Sequence, residues 1–149
     1  MKAILLAVCA GLCWGIGELC TKSVLHTGKV GPITAIAVRS TVALPVLWLA
    51  YLVAVKVAKA EPQDWLKADT QTLVKLVLGS GLVAGAAAMI FFYSSLHVGE
   101  ISRVKPVAFA LAPAVASVLA FVLLHEPLTA KKAAGLAAIL GGVILLTGK

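Results

Sequence analysis

The stretch AILLAVCAGLCWGIGELCTKSVL, Ala3 to Leu25, decides the fold. It carries one acid, Glu18, and one base, Lys22, and both lie in its second half. A helix of about 20 apolar residues crosses the hydrocarbon of a bilayer. Lys2 followed by an apolar run also resembles the start of a signal peptide. Apolar sequence continues well past Cys13, however, with no polar break or good cleavage site. A lipoprotein box needs a small residue before its cysteine, but Val8 precedes Cys9 and Leu12 precedes Cys13. A retained first transmembrane helix is expected, spanning about 3–25.

Four further stretches repeat the pattern at about 32–55, 73–96, 101–124 and 132–147. Pro32 suits the first turn of the second helix. The expected fold class is an all-α integral membrane protein with five transmembrane helices in one domain, 1–149. Five spans need roughly 100 residues. Only short loops are left over, so no separate soluble domain or extramembrane active site is expected. Composition agrees: 61% of residues are hydrophobic and 13% charged, against about half and a quarter in soluble domains. The one sizeable loop, Lys56 to Thr72, contains Pro62 to Lys67, which reads as a short interfacial helix anchored by Trp65. A functional lid is the sharper alternative.

The net charge of +7 does not indicate a nucleic-acid partner. The basic residues are scattered at span ends and form no stripe. Lys2, Lys56, Lys59, Lys67, Lys75, Lys131 and Lys132 fall on the N-terminal side. Lys22, Lys29, Arg39, Arg103, Lys105 and Lys149 lie on the other side or lean to it. So even a split is what insertion in both orientations would show; an N-inside topology set by the loop after span two is the alternative. An odd number of spans places residues 3 and 147 on opposite faces of the bilayer.

Ionisable groups inside spans are costly and default to functional candidates. Glu18 shares a helical face with Gly11, Trp14, Gly15, Thr21 and Lys22. Two readings of Glu18 stay open. Lys22 neutralises it in an i,i+4 pair, or burial favours its neutral form so that it exchanges a proton. Arg39 lies about seven residues, roughly 10 Å, into span two from the same membrane side. Arg103 and Lys105 open span four on that side, with His97 and Glu100 in the adjoining turn. This excess of cations favours a substrate with an anionic group; the bland reading is snorkelling. Pro106 and Pro113 interrupt the donors of span four, with Pro113 the better kink candidate. Tyr93, Ser94, Ser95 and Ser117 add polar groups to the same interior. Gly81 and Gly85 in span three, and Ala134, Ala138 and Gly142 in span five, read as close-packing faces.

No enzyme signature is present. His125-Glu126 lacks a second histidine at metalloprotease spacing, and Gly79-Ser80-Gly81 lies within a span. Cys9, Cys13 and Cys20 read as buried small residues. No metal and no cofactor are expected.

Several segments resemble the EamA-type domain of the drug/metabolite transporter superfamily. Trp14-Gly15 with Lys22 resembles its first-helix signature, and Pro32 with Arg39 its second helix. Tyr93 to Gly99 resembles the end of the third, and Ser102 to Pro106 with Pro113 the fourth. Leu124-His125-Glu126-Pro127-Leu128-Thr129, Gly135 and Gly142-Val143 are similar to its glutamate-containing turn and glycine-rich last helix. Glu18 is unusual for this family, yet similar in placement to the first-helix acid of the small multidrug transporters, which work as antiparallel dimers. Val107-Ala108-Phe109 departs from short-chain relatives, which often carry acidic and basic residues there. The resemblance implies one five-span repeat of a ten-helix machine that exports or exchanges small metabolites across the cytoplasmic (inner) membrane of a prokaryote. The expected function is a proton-coupled secondary transporter of an amino-acid-like molecule or organic anion, working in the bilayer as an inverted homodimer. Its site residues are Glu18, Trp14, Lys22, Arg39, Tyr93 and Lys105. The alternative is a non-transporting membrane subunit that stabilises another complex.

Overall fold

In lipid no water satisfies backbone N–H and C=O groups, so an open spanning segment must bond them internally, as a helix does. The computed structural model describes residues 2–148, and every long element in it is helical. Five helices are long and apolar enough to cross a membrane: α1 (Lys2–His26), α2 (Pro32–Val57), α3 (Thr70–Val98), α4 (Ile101–Leu124) and α5 (Ala130–Thr147). Lys149, counted above among the basic residues, lies outside the described residues. The chain forms two compact units, one running to His97 and the other starting at Val98.

In the first unit, α1 ends in a tight turn where Gly28 takes φ +68°, a left-handed conformation open to glycine at little cost. Gly31 then caps α2 and Pro32 supplies its first residue. The last turn of α2, Leu52–Val57, widens to i→i+5 hydrogen bonding, as in Ala58 N–H to Val53 O at 2.8 Å. The expected interfacial helix is a single 3-10 turn, Trp65–Lys67.

Helix α3 starts at Thr70, three residues before the sequence expectation. Asp69 is the reason: its carboxylate accepts the Thr72 N–H at 2.9 Å and the Thr72 hydroxyl at 2.8 Å. From Lys75 to Ala87 α3 is wound with i→i+5 bonds, then returns to α geometry over Ala88–Val98. This winding changes the meaning of the glycines. A methyl group at Gly85 would sit 3.3 Å from the Ser80 carbonyl of its own helix, and one at Gly81 would sit 3.7 Å from that of Leu76. These two glycines therefore accommodate the wide helix, and no neighbouring helix among the described residues comes within 4 Å of either methyl position.

In the second unit α4 and α5 pack on each other. Helix α4 runs unbroken through Pro106 and Pro113, and Pro106 is its sixth residue, beyond the first turn. His125 ends α4 in the left-handed region at φ 54°, with Glu126 N–H reaching Ala120 O at 3.1 Å. Thr129 starts α5 two residues before the expected Lys132 by accepting the Lys132 N–H.

Among the described residues only Leu25, Val55, Tyr93, Leu96, Ala110 and Glu18 are buried. Most other large apolar side chains of the spans face outward, and lipid or protein must cover them.

The Asp69 carboxyl lies outside the spans and is held below its ordinary value of 3.8, chiefly by the Thr72 N–H and then by the Thr72 hydroxyl. A depressed folded-state value means the cap is present above the unfolded pKa and is lost as pH falls through the folded one. An NMR titration of the Thr72 amide should show a midpoint below 3.8 that disappears in Asp69→Asn. A midpoint at or above 3.8 would contradict the cap.

Candidate functional site

Glu18 is the buried charge of the first unit, with 3% of its surface exposed. An ionised carboxylate removed from water needs a cation or several hydrogen bonds. Arg39 of α2 supplies the cation: its Nη1 lies 3.5 Å from Glu18 Oε1. The same Nη1 donates to the phenol oxygen of Tyr93 in α3. The guanidinium carbon also lies 5.7 Å from the Tyr93 ring centroid. Three spans thus contribute one group each.

Tyr93 is 1% exposed, so its position is fixed by packing. Its oxygen lies 3.4 Å from Thr21 Oγ1, and Thr21 Oγ1 donates to Gly17 O at 3.1 Å. With the threonine proton committed to Gly17, the phenol proton is directed at Thr21. The chain of donors then runs Arg39 to Tyr93 to Thr21 to the α1 backbone. The result is a guanidinium held by a neutral phenol, with a carboxylate beside it.

Lys22 sits one turn beyond Glu18 on α1. Its ammonium donates to Leu96 O at 2.7 Å, in the last turn of α3. Carbonyls of a last turn lack intrahelical donors, and a cation there also suits the helix dipole. Trp14 lies one turn before Glu18 and is about half exposed. The structure therefore gathers Glu18, Lys22, Arg39 and Tyr93 into one cluster, with Trp14 on the same helix. Thr21 and Leu96 O belong to it too. The i,i+3 spacing from Glu18 pointed to Thr21; nothing in the sequence singled out the Leu96 carbonyl.

Lys105 belongs to the second unit. Its ammonium nitrogen is buried, has no hydrogen-bond acceptor among the described residues, and lies 5.3 Å from the Phe109 ring centroid. Arg103 pairs with Glu100 at 3.2 Å on the exposed surface, where such pairs contribute little. Among the described residues no group of three His, Cys, Asp or Glu side chains could hold a metal ion.

Removing the Tyr93 hydroxyl leaves Arg39 with one fewer partner. Tyr93→Phe should lower stability by about 1.5–3 kcal/mol, the usual contribution of a hydrogen bond to a charged group. Reversible denaturation in mixed micelles measures it. No loss would mean that Arg39 does not depend on the phenol.

No curated protein and no solved structure matches the chain. The model of the EamA-like transporter family matches residues 1–148. Five helices of membrane-spanning length and a match over nearly the whole sequence lead to one conclusion: this chain belongs to the EamA-like transporter family of the drug/metabolite transporter superfamily, a family of membrane transporters.

Proposed function

We propose that this chain is a proton-coupled secondary transporter that exports or exchanges an amino-acid-like metabolite across the cytoplasmic membrane of a prokaryote. The Glu18–Arg39 pair inside the spans carries the reading. A carboxylate and a guanidinium held 3.5 Å apart present complementary charges to a zwitterion. The planar fork of Arg39 suits a substrate carboxylate. Glu18 suits the substrate ammonium.

Coupling follows from competition at one oxygen pair. With no substrate bound, Glu18 is neutralised by Arg39 or by a proton. When a zwitterion enters, its carboxylate takes Arg39 and its ammonium takes Glu18, so any proton on Glu18 must leave. One proton and one ammonium exchange at the same carboxylate, which is the chemistry of exchange transport. Tyr93 keeps Arg39 aimed while its partner changes. Lys105, in the second unit, offers another cation to an anionic group. Its lack of a hydrogen-bond acceptor supports that role.

The proposal includes an inverted homodimer. Its support is the exposure of the Arg39 side chain, 40%, at a depth of roughly 10 Å in α2. Bare guanidinium against lipid is costly. A second copy laid over this face would cover it. Alternating access is then rocking of one copy against the other.

Purified protein reconstituted in liposomes should show proton flux driven by some members of a panel of amino acids, organic acids and amines. Glu18→Gln should abolish that flux, and Arg39→Gln should weaken substrate affinity about tenfold or more, as for loss of a charge-assisted contact to a carboxylate. Unchanged flux in Glu18→Gln overturns the coupling. No flux from folded protein overturns transport in favour of a non-transporting partner role.

Orientation has its own test. Single cysteines near residues 3 and 147, in a background without Cys9, Cys13 and Cys20, should both label from outside intact cells. Labelling at one position alone overturns the inverted homodimer.

A further inference from the structure

A second site lies at the other end of α2, away from Glu18. The last α-helical turn of α2 carries Trp48 and Tyr51, whose rings meet edge to face at 82° with centroids 5.3 Å apart. Trp65, from the 3-10 turn, closes over them and donates its indole N–H to the Tyr51 hydroxyl at 3.2 Å. The three rings line a cavity of about 400 Å³, and Glu61 lies on its wall. Val55 and Leu76 complete an apolar floor.

Interfacial tryptophan and tyrosine commonly anchor a helix in the headgroup layer. Anchoring needs no cavity and no carboxylate. Here rings in different orientations line an open cavity of ligand size. Aromatic faces are electron-rich and attract cations, alkylated ammonium groups above all. Glu61 adds formal negative charge, and among the described residues it enters no ion pair. The nearby Lys67 is engaged by Asp64 at 2.9 Å, so it does not neutralise Glu61. The floor accepts an alkyl chain, while the aromatic rings and the carboxylate line the space for its head.

We propose that this cavity binds an amphiphilic ammonium, its head held by Trp48, Tyr51, Trp65 and Glu61 and its chain lying over Val55 and Leu76. The same chemistry is presented by a phospholipid amine headgroup and by a free alkylammonium. The site is independent of the Glu18 cluster and of the transport reading.

The test uses the full chain in neutral maltoside micelles, titrated calorimetrically with decyltrimethylammonium, with 1-decanol as the uncharged control. Glu61→Gln should weaken ammonium binding about tenfold and leave decanol unchanged, and Trp65→Ala should weaken it at least as much. Trp65→Phe keeps an aromatic face and should retain more affinity than Trp65→Ala, which separates the cage from a folding defect. Adding phosphatidylethanolamine, but not phosphatidylglycerol, should compete if the lipid headgroup is the natural occupant. Absence of competition, with the variant effects intact, assigns the site to a free amphiphile. Equal ammonium affinity in the parent chain, Glu61→Gln and Trp65→Ala overturns the proposal.

Discussion

A carboxylate inside a transmembrane helix must be answered by other groups, and at Glu18 the answer draws three helices together. Water is not present in the hydrocarbon to share the charge. Arg39 comes from α2 and is itself held by Tyr93 of α3. Tyr93 returns to α1 through Thr21. Lys22 adds a second tie from α1 to α3 at the Leu96 carbonyl. The two best-buried side chains of α3, Tyr93 and Leu96, sit at these ties. The polar cluster and the buried part of α3 are therefore the same place. Any substrate that separates Glu18 from Arg39 also acts on what holds α1, α2 and α3 together. That is the physical link between occupancy and conformation that a transporter requires.

Most of the fold was legible in the sequence because the membrane imposes it. Length and apolar composition set the five spans, and lipid forces each to be helical. Helix starts were less legible. Asp69 and Thr129 are ordinary capping residues, yet they were read as loop because hydropathy rises only after them. The wide winding of α3 was not legible at all. Small residues such as Gly81 and Gly85 fit both close neighbours and a helix whose carbonyls press on its own side-chain positions.

The site was legible as a set of residues but not as a set of partners. Lys22 lies four positions after Glu18, so helical spacing alone offers it as the neutralising cation. Arg39 lies on another helix, and which face of α2 meets α1 is a matter of tertiary packing that no spacing rule contains. The structure puts Arg39 at ion-pair distance from Glu18 and ties the Lys22 ammonium to the end of α3 as well. The aromatic cavity escaped for a similar reason. Trp48 and Tyr51 share a helix turn, but Trp65 joins them only because the chain folds back after Val57.

Helix α2 connects the two sites. Arg39 and Tyr51 are twelve residues apart, about 18 Å along a helix axis, a large part of the hydrocarbon thickness. The charge pair and the aromatic cavity therefore lie toward opposite ends of α2. In a single orientation this polarity would distinguish the two faces of the membrane. Inverting a second copy removes the distinction, because each leaflet then receives one charge pair and one aromatic cavity. A symmetric pair of gates needs such an arrangement, since whichever side opens must offer the substrate the same groups. The proposed inversion is compatible with the near-even division of basic residues between the two sides, since a chain with little charge asymmetry has little reason to prefer one orientation.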